Sequence, residues 1–112
     1  MSDLSGKHCV PCEGGVIPLD IRAAQSLLQK LSSDWQLGED AKFIRRHYTF
    51  MNFYRTMSFV NAVAHIANSE DHHPDLEIGF NYCRIKYTTH AISGLSENDF
   101  ICAAKIDLIE SS

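Results

Sequence analysis

The sequence predicts an α+β fold of element order α-β-β-α-β-β-α, with a four-stranded antiparallel sheet and helices packed on one of its faces. Two patterns support this prediction. Two segments repeat apolar residues every three or four positions, as one face of a helix does, and a third begins with a helix-capping pattern. Four short segments alternate apolar and polar residues, as half-buried strands do. The chain has 112 residues, the size of one small domain. Covering the apolar face of the sheet with the helices is the simplest packing of these elements.

The first half of the chain is predicted to hold one helix and two strands. Asp20 can cap a helix over residues 21–31, whose apolar side chains recur at helical spacing. Residues 35–37 and 42–50 then alternate in polarity on either side of a turn that begins at Gly38. These two segments are predicted to form a β-hairpin.

A second helix is predicted from the Asn52 cap to about Ser69. Its apolar residues cover roughly half of the helix surface at ~100° per residue, which is enough to pack on a sheet and leave one flank for a partner. We therefore expect a homodimer or homotetramer that uses this helix or a sheet edge. His65 lies opposite the apolar arc and is expected to face solvent.

The segment after this helix is predicted to be a second hairpin. Pro74 biases His73 toward an extended backbone, which places two adjacent histidines at a helix–strand junction. Residues 76–80 and 83–87 alternate in polarity around a turn. Such a junction can present two imidazoles to one cleft, although neighbouring residues within a helix or a strand point in different directions.

A final helix is predicted over residues 97–109. Ser96 and Asp99 match the capping-box pattern, and Leu95 and Phe100 stand at the spacing of a hydrophobic staple. Asp99 therefore has a purely structural interpretation, as a cap, beside any role in a site.

Residues 1–18 are predicted to form an extended or flexible arm outside a single domain of residues 19–112. This stretch is rich in Gly and Pro and has no apolar period. It carries one CxxC, formed by Cys9 and Cys12. A structural zinc site needs four ligands, and a redox CxxC normally opens a helix after a strand, so the favoured interpretation is an incidental arm, with zinc or redox function as the alternative.

The composition excludes several classes of protein. The net charge is −4 and the basic residues are scattered apart from Arg45 and Arg46, which argues against nucleic-acid binding. No apolar run approaches the ~18 residues that indicate a membrane span. The N-terminus lacks the apolar core of a secretory signal, so we expect a cytoplasmic protein whose cysteines are thiols.

The densest polar cluster is the run at residues 70–73, with His90 and Asp99 further along the chain. Histidine titrates closest to neutral pH, so His72, His73 and His90 suit an acid–base reaction that needs no metal. Two alternatives remain open from spacing alone. The histidines are solvated residues of a polar junction, or they hold a zinc ion together with a carboxylate, although no familiar zinc motif is present. Trp35 either lines a site for a flat ligand or belongs to the core.

The run EDHHP at residues 70–74, followed by Phe80, His90 and Asp99, resembles the signature of the pterin-4a-carbinolamine dehydratases. The resemblance extends to Trp35 after the first helix and to residues 94–99, and it covers roughly residues 19–110. One position departs from the pattern: Asn68 stands where the family usually has a charged side chain, often Glu. Asn can hydrogen-bond but carries no charge.

This resemblance implies an α+β fold and a reaction, the dehydration of a 4a-hydroxytetrahydropterin to the quinonoid dihydropterin. The reaction recycles the pterin cofactor of aromatic amino-acid hydroxylases, and it uses no metal or other cofactor. The family's active-site histidines correspond to His72, His73 and His90, of which His72 and His90 are assigned the proton transfers. Substrate-binding roles are assigned to Trp35, Asp71 and Asp99. A rival function, also implied by the family, is a binding module that serves as the dimerisation partner of a transcription factor without catalysis.

Overall fold

The computed structural model of the protein describes residues 3–11 and 16–109. Within these residues the α+β class and the predicted order of helices and strands are confirmed. The helices are α1 (Ile21–Leu28), α2 (Phe53–Glu70) and α3 (Glu97–Asp107), and the strands are β1 (Gln36–Leu37), β2 (Ile44–Thr49), β3 (Asp75–Ile78) and β4 (Tyr82–Tyr87).

The four strands form one antiparallel sheet in the order β1-β2-β4-β3. Apolar and polar residues alternate along the strands. Because successive side chains of a strand point to opposite sides, the two kinds of residue fall on opposite faces of the sheet. Ile44, Cys83 and Ile85 are buried on the face that carries the helices, whereas His47 and Arg84 are exposed on the other face. The sheet is therefore polar on one side and packed on the other.

Helix α2 matches its prediction closely. The Asn52 side chain accepts a hydrogen bond from the backbone N–H of Arg55 at 3.0 Å, as an N-cap does. Phe59 and Val63 face the core, and His65 is exposed as expected.

Helices α1 and α3 end earlier than predicted, because their last turns tighten. The backbone N–H of Leu31 bonds to the carbonyl of Leu28, and that of Ile109 bonds to the carbonyl of Ile106. These are bonds between residues three apart rather than four, and such bonds commonly close the end of an α-helix. Leu31 remains buried although it lies outside the helix.

Both hairpins also differ from prediction at their turns. Residues Glu39–Ala41 form a 3₁₀ turn that Lys42 closes, so β2 begins at Ile44. Strand β3 ends at Ile78 because the Gly79 N–H already bonds across the turn to the carbonyl of Tyr82.

The N-terminal residues differ most from expectation. The structure contradicts a loosely attached arm over residues 3–11, because this segment packs against α3. Residues Asp3–Gly6 form a 3₁₀ turn, and the Leu4 side chain is 1% exposed within the core. The Lys105 ammonium group on α3 donates to the carbonyl of Ser5 at 2.9 Å. Cys12 lies outside the described residues.

Over the described ranges, none of the helices combines the length and the apolar character that a membrane span requires.

Candidate active site

The C-terminus of α2 directs two histidines into a cleft. Asp71 ends the helix in the left-handed conformation (φ 51°), and its N–H and that of His72 both bond back to the carbonyl of Ala67. A left-handed residue reverses the chain and satisfies the last carbonyls of a helix. Pro74 then prevents the helix from resuming, so His72 and His73 fall between α2 and β3.

The cleft measures about 510 Å³ and lies between the end of α2, the loop after β4 and residues 9–11. It brings together the three histidines of the predicted site, His72, His73 and His90, and Asp71 also lines it. His90 begins a 3₁₀ turn, His90–Ile92, and is exposed, as are His73 and Asp71.

His72 is the most constrained of these histidines. Its Nε2 lies 2.6 Å from Oδ1 of Asp99, and its ring stacks on Tyr87 with the planes 8° apart. Because a carboxylate only accepts hydrogen bonds, Nε2 carries a proton. The other ring nitrogen, Nδ1, is then the one available to a bound molecule, as a base when the ring is neutral and as an acid when it is charged.

Asp99 sets the charge of this histidine. Burial lowers the pKa of His72, but the hydrogen bond and the negative charge of Asp99 outweigh burial and raise the pKa above its ordinary value. The imidazolium form is therefore favoured closer to neutral pH, where a proton donor for catalysis is most useful.

The Asp99 carboxylate is fully buried and serves two elements. Its Oδ1 holds His72, while its Oδ2 accepts from the Ser96 N–H at 3.0 Å and from the Thr89 hydroxyl at 2.8 Å. The predicted capping box of α3 is confirmed. Asp99 does not line the cleft and contacts it through His72, and the substrate-binding role of Asp99 stays a prediction.

His73 has a neutral partner instead. Its Nε2 lies 3.1 Å from Oδ1 of Asn68, the residue that departs from the family pattern. Both side chains are exposed.

Trp35 is not part of the cleft. It is 3% exposed within the core, and its indole N–H donates to Oδ1 of Asp107 at 2.8 Å. Asp107 also accepts from Arg46 at 2.7 Å and from the N–H of Ser32 at 2.9 Å. The substrate-binding role predicted for Trp35 is therefore corrected to a core position, because its polar atom is already bonded on α3.

Residues 9–11 form a wall of the cleft, which differs from the arm outside the domain that the sequence predicts. Two anchors hold this wall. The Cys9 N–H donates to Oε1 of Glu70 at 2.7 Å, and the Asn98 side chain both donates to and accepts from the backbone of Val10. The Glu70 carboxylate is 6% exposed and also contacts the His8 ring at 3.0 Å.

The charge of Glu70 is retained despite its burial. Burial raises its pKa, but the hydrogen bonds from the Cys9 N–H and from His8, together with the charge of Lys105, outweigh burial and lower the pKa below its ordinary value. The CxxC was the one signal in the sequence that marked this segment.

Among residues 3–11 and 16–109, no three His, Cys, Asp or Glu side chains converge as ligands of a single metal ion.

Comparison with known proteins agrees with the geometry. The sequence profile of the family described as "Pterin 4 alpha carbinolamine dehydratase" matches residues 17–109. The chain belongs to this family. Its members are hydro-lyases, and the resemblance drawn from the histidine motif is confirmed.

Individual relatives extend beyond the residues that the profile matches. A curated protein of Legionella pneumophila (strain Corby), named "Putative pterin-4-alpha-carbinolamine dehydratase", is 57% identical over 106 residues, covering 95% of this chain and 94% of its own length. One of the same name from Nitrosomonas eutropha is 56% identical over 107 residues, covering 96% and 93%.

A solved structure from Brucella melitensis, described as a transcriptional coactivator/pterin dehydratase, superposes with a TM-score of 0.74 at 27% identity. The match covers 80% of this chain and 94% of that one.

Proposed function

We propose that this chain dehydrates a 4a-hydroxytetrahydropterin to the quinonoid dihydropterin by histidine acid–base catalysis. The observation that carries the proposal is the arrangement of His72, His73 and His90 around one cleft, with the Asp99 carboxylate buried behind His72. The cleft volume of about 510 Å³ falls in the range of small-molecule sites.

The reaction needs two proton transfers. The bond between C4a and the hydroxyl oxygen breaks, a proton is delivered to that oxygen to release water, and a second proton leaves the ring nitrogen as the carbon–nitrogen double bond forms. A positioned acid or base contributes ~10²–10⁴-fold to each transfer. We assign the transfers to His72 and His90, and the positioning of the pterin or its hydroxyl to His73 and Asp71.

The decisive experiment follows dehydration of a synthetic 4a-hydroxytetrahydropterin with the His72→Gln/His90→Gln double variant. His65→Gln is the matched control, because His65 is an exposed histidine of α2 outside the cleft lining. We expect the double variant to fall to the uncatalysed rate while the control keeps the wild-type rate. Wild-type activity in the double variant would contradict the assignment.

The product of this reaction suits a reductive step that regenerates the tetrahydropterin. We therefore propose that the chain works beside an aromatic amino-acid hydroxylase in the cytoplasm. Hydroxylase turnover that accelerates when the chain is added to a coupled assay would support this, and unchanged turnover with accumulating carbinolamine would contradict it.

We also propose self-association as a dimer or tetramer. Near the start of α2, Phe53 and Phe80 stack with ring centroids 6.4 Å apart, and Met51 and Tyr54 are 79% and 83% exposed. Grouped exposed apolar side chains mark interaction surfaces. Light scattering should show an oligomer that Tyr54→Glu weakens, and a monomer at tens of micromolar wild-type chain would refute the proposal.

The same surface supports the second candidate function, a protein-binding module without catalysis. Inactivity of the wild-type chain in the dehydration assay would favour this candidate, and turnover that depends on His72 would favour the enzyme.

A further inference from the structure

Two cysteines far apart in the chain meet beneath the cleft. The sulfur of Cys9, in the N-terminal wall, lies 3.6 Å from the sulfur of Cys102 on α3. Cys102 is fully buried, whereas Cys9 is partly buried and lines the cleft. The proposed dehydration uses neither thiol.

The backbone around Cys9 is already held in place for a bond to Cys102. The Cys9 N–H is bonded to Glu70, and the next residue, Val10, is bonded twice to Asn98, which also lies on α3. A disulfide has an S–S length of ~2.05 Å, so the two sulfurs need to approach by only about 1.5 Å.

The two thiols also share a proton in a way that favours reaction. The hydrogen bond from the Cys9 thiol holds the pKa of the Cys102 thiol below its ordinary value, and the same bond raises the pKa of Cys9. The hydrogen bond therefore favours the thiolate of Cys102 over that of Cys9, and the Cys102 thiolate is placed to take the proton of the Cys9 thiol when the Cys9 sulfur reacts.

We propose that Cys9 and Cys102 are a redox-active pair that closes into a disulfide on meeting a low-molecular-weight disulfide such as oxidised glutathione, and that closure fixes the wall formed by residues 9–11. This goes beyond the proposed dehydration and stands without it.

The exchange balances in two steps. The Cys102 thiolate takes the proton of the accessible Cys9 thiol, the Cys9 sulfur attacks one sulfur of glutathione disulfide, the glutathione S–S bond breaks, and one glutathione thiolate leaves. The Cys102 sulfur then loses its proton and attacks Cys9 in the mixed disulfide, which releases the second glutathione thiolate. Two electrons end on the two glutathione sulfurs, which take up one proton from the cysteine pair and one from water to become thiols, and the protein gains one S–S bond.

The test incubates the reduced full-length chain with millimolar glutathione disulfide, alkylates the remaining thiols in denaturant and maps the tryptic peptides. Cys9 and Cys12 share the peptide of residues 8–22, and Cys102 lies in that of residues 87–105. We expect two of the four thiols to disappear and these two peptides to be joined.

Matched variants identify the cysteines. The joined peptides should persist in Cys12→Ser and in Cys83→Ala, and should be absent from Cys9→Ser and from Cys102→Ala. A disulfide confined to residues 8–22, or four thiols remaining after incubation, would overturn the proposal.

A second readout tests whether closure fixes the wall. Amide hydrogen exchange at Cys9 and Val10 should slow by at least about tenfold in the oxidised chain, and the melting temperature should rise by about 5 °C or more. Unchanged exchange at both amides would show that the disulfide forms without fixing the wall, and this part of the proposal would be wrong. Neither readout depends on dehydration activity.

Discussion

His72 and His73 are neighbours in the chain, but their surroundings in the cleft differ. The His72 ring donates to a carboxylate that is 0% exposed and stacks on Tyr87. The His73 ring is exposed and meets the neutral side-chain amide of Asn68 at 3.1 Å. One imidazole is therefore held in a single orientation by a charged group, and the other is free to adjust.

This difference separates two tasks of a catalytic site. A proton-transfer group gains from a fixed orientation, because misplacement by about 1 Å can cost ~10²-fold in rate. A group that only holds the substrate can adapt to it. The surroundings support the proposal that His72 transfers a proton and His73 holds the substrate.

The largest effect is expected from His72→Gln. It removes the group proposed for proton transfer, so kcat for dehydration should fall ~10²–10⁴-fold. His73→Gln should mainly raise KM, because it removes an exposed side chain that is proposed to bind the substrate. Steady-state kinetics of both variants measure this, and a larger fall in kcat for His73→Gln would reverse the comparison.

Asp99→Asn should replace the carboxylate beside His72 with a neutral side-chain amide, the kind of group that His73 already contacts. The pKa of His72 should then fall, since its main raising influence is lost, and NMR titration of the ring measures it directly. The limb of the pH–rate profile that needs protonated His72 should shift to lower pH. A His72 pKa equal to that of wild type would show that the carboxylate does not set its charge.

The same variant should change how stability depends on pH. The pKa of His72 is raised in the folded chain. The ion pair with Asp99 therefore stabilises the folded state most at pH values below the pKa of histidine in the unfolded chain, about 6.5. This contribution is lost as pH rises through the raised pKa. The difference in melting temperature between wild type and Asp99→Asn should therefore be largest between about pH 5 and 6.5 and should shrink at higher pH.

Asn68→Asp makes the opposite change, since it gives His73 a charged partner of the same shape. A charge-assisted hydrogen bond is roughly twice as strong as a neutral one. We expect KM for the pterin to stay equal or fall by up to about fivefold, the equivalent of ~1 kcal/mol. A fall in kcat of more than tenfold would show that the neutral partner is required.

The smallest effect is expected from Asp71→Asn, which removes an exposed charge from the cleft while keeping a side chain that tolerates the left-handed conformation. Dehydration should change by no more than about fivefold. Asp71→Val is the contrasting variant, because a β-branched residue resists this conformation and should lower the melting temperature. A loss above a hundredfold in Asp71→Asn would instead give Asp71 a direct role in the reaction.

Local patterns predicted the parts of the fold that local forces decide. The Asn52 cap, the alternation in β2 and β4 and the capping box of Ser96 and Asp99 each involve residues close in sequence, and all are confirmed. The histidine motif also predicted which imidazoles share the cleft.

Such local patterns do not predict contacts between residues that are far apart in the sequence. Cys9 binds Glu70 from 61 residues away, and Val10 binds Asn98 from 88 residues away. The Gly and Pro content of the segment indicates irregular backbone, and irregular backbone can still pack. Trp35 was ambiguous for a related reason, since its partner Asp107 lies 72 residues further along the chain.

The shared carboxylate of Asp99 limits what its presence can reveal about other members of the family. One oxygen caps α3 and the other holds His72, so a relative that had lost dehydration would still need an acidic residue there to begin the helix. An aspartate at this position in an alignment is therefore weak evidence of catalysis. The informative signature is the aspartate together with the histidine it holds, because the histidine takes no part in capping the helix.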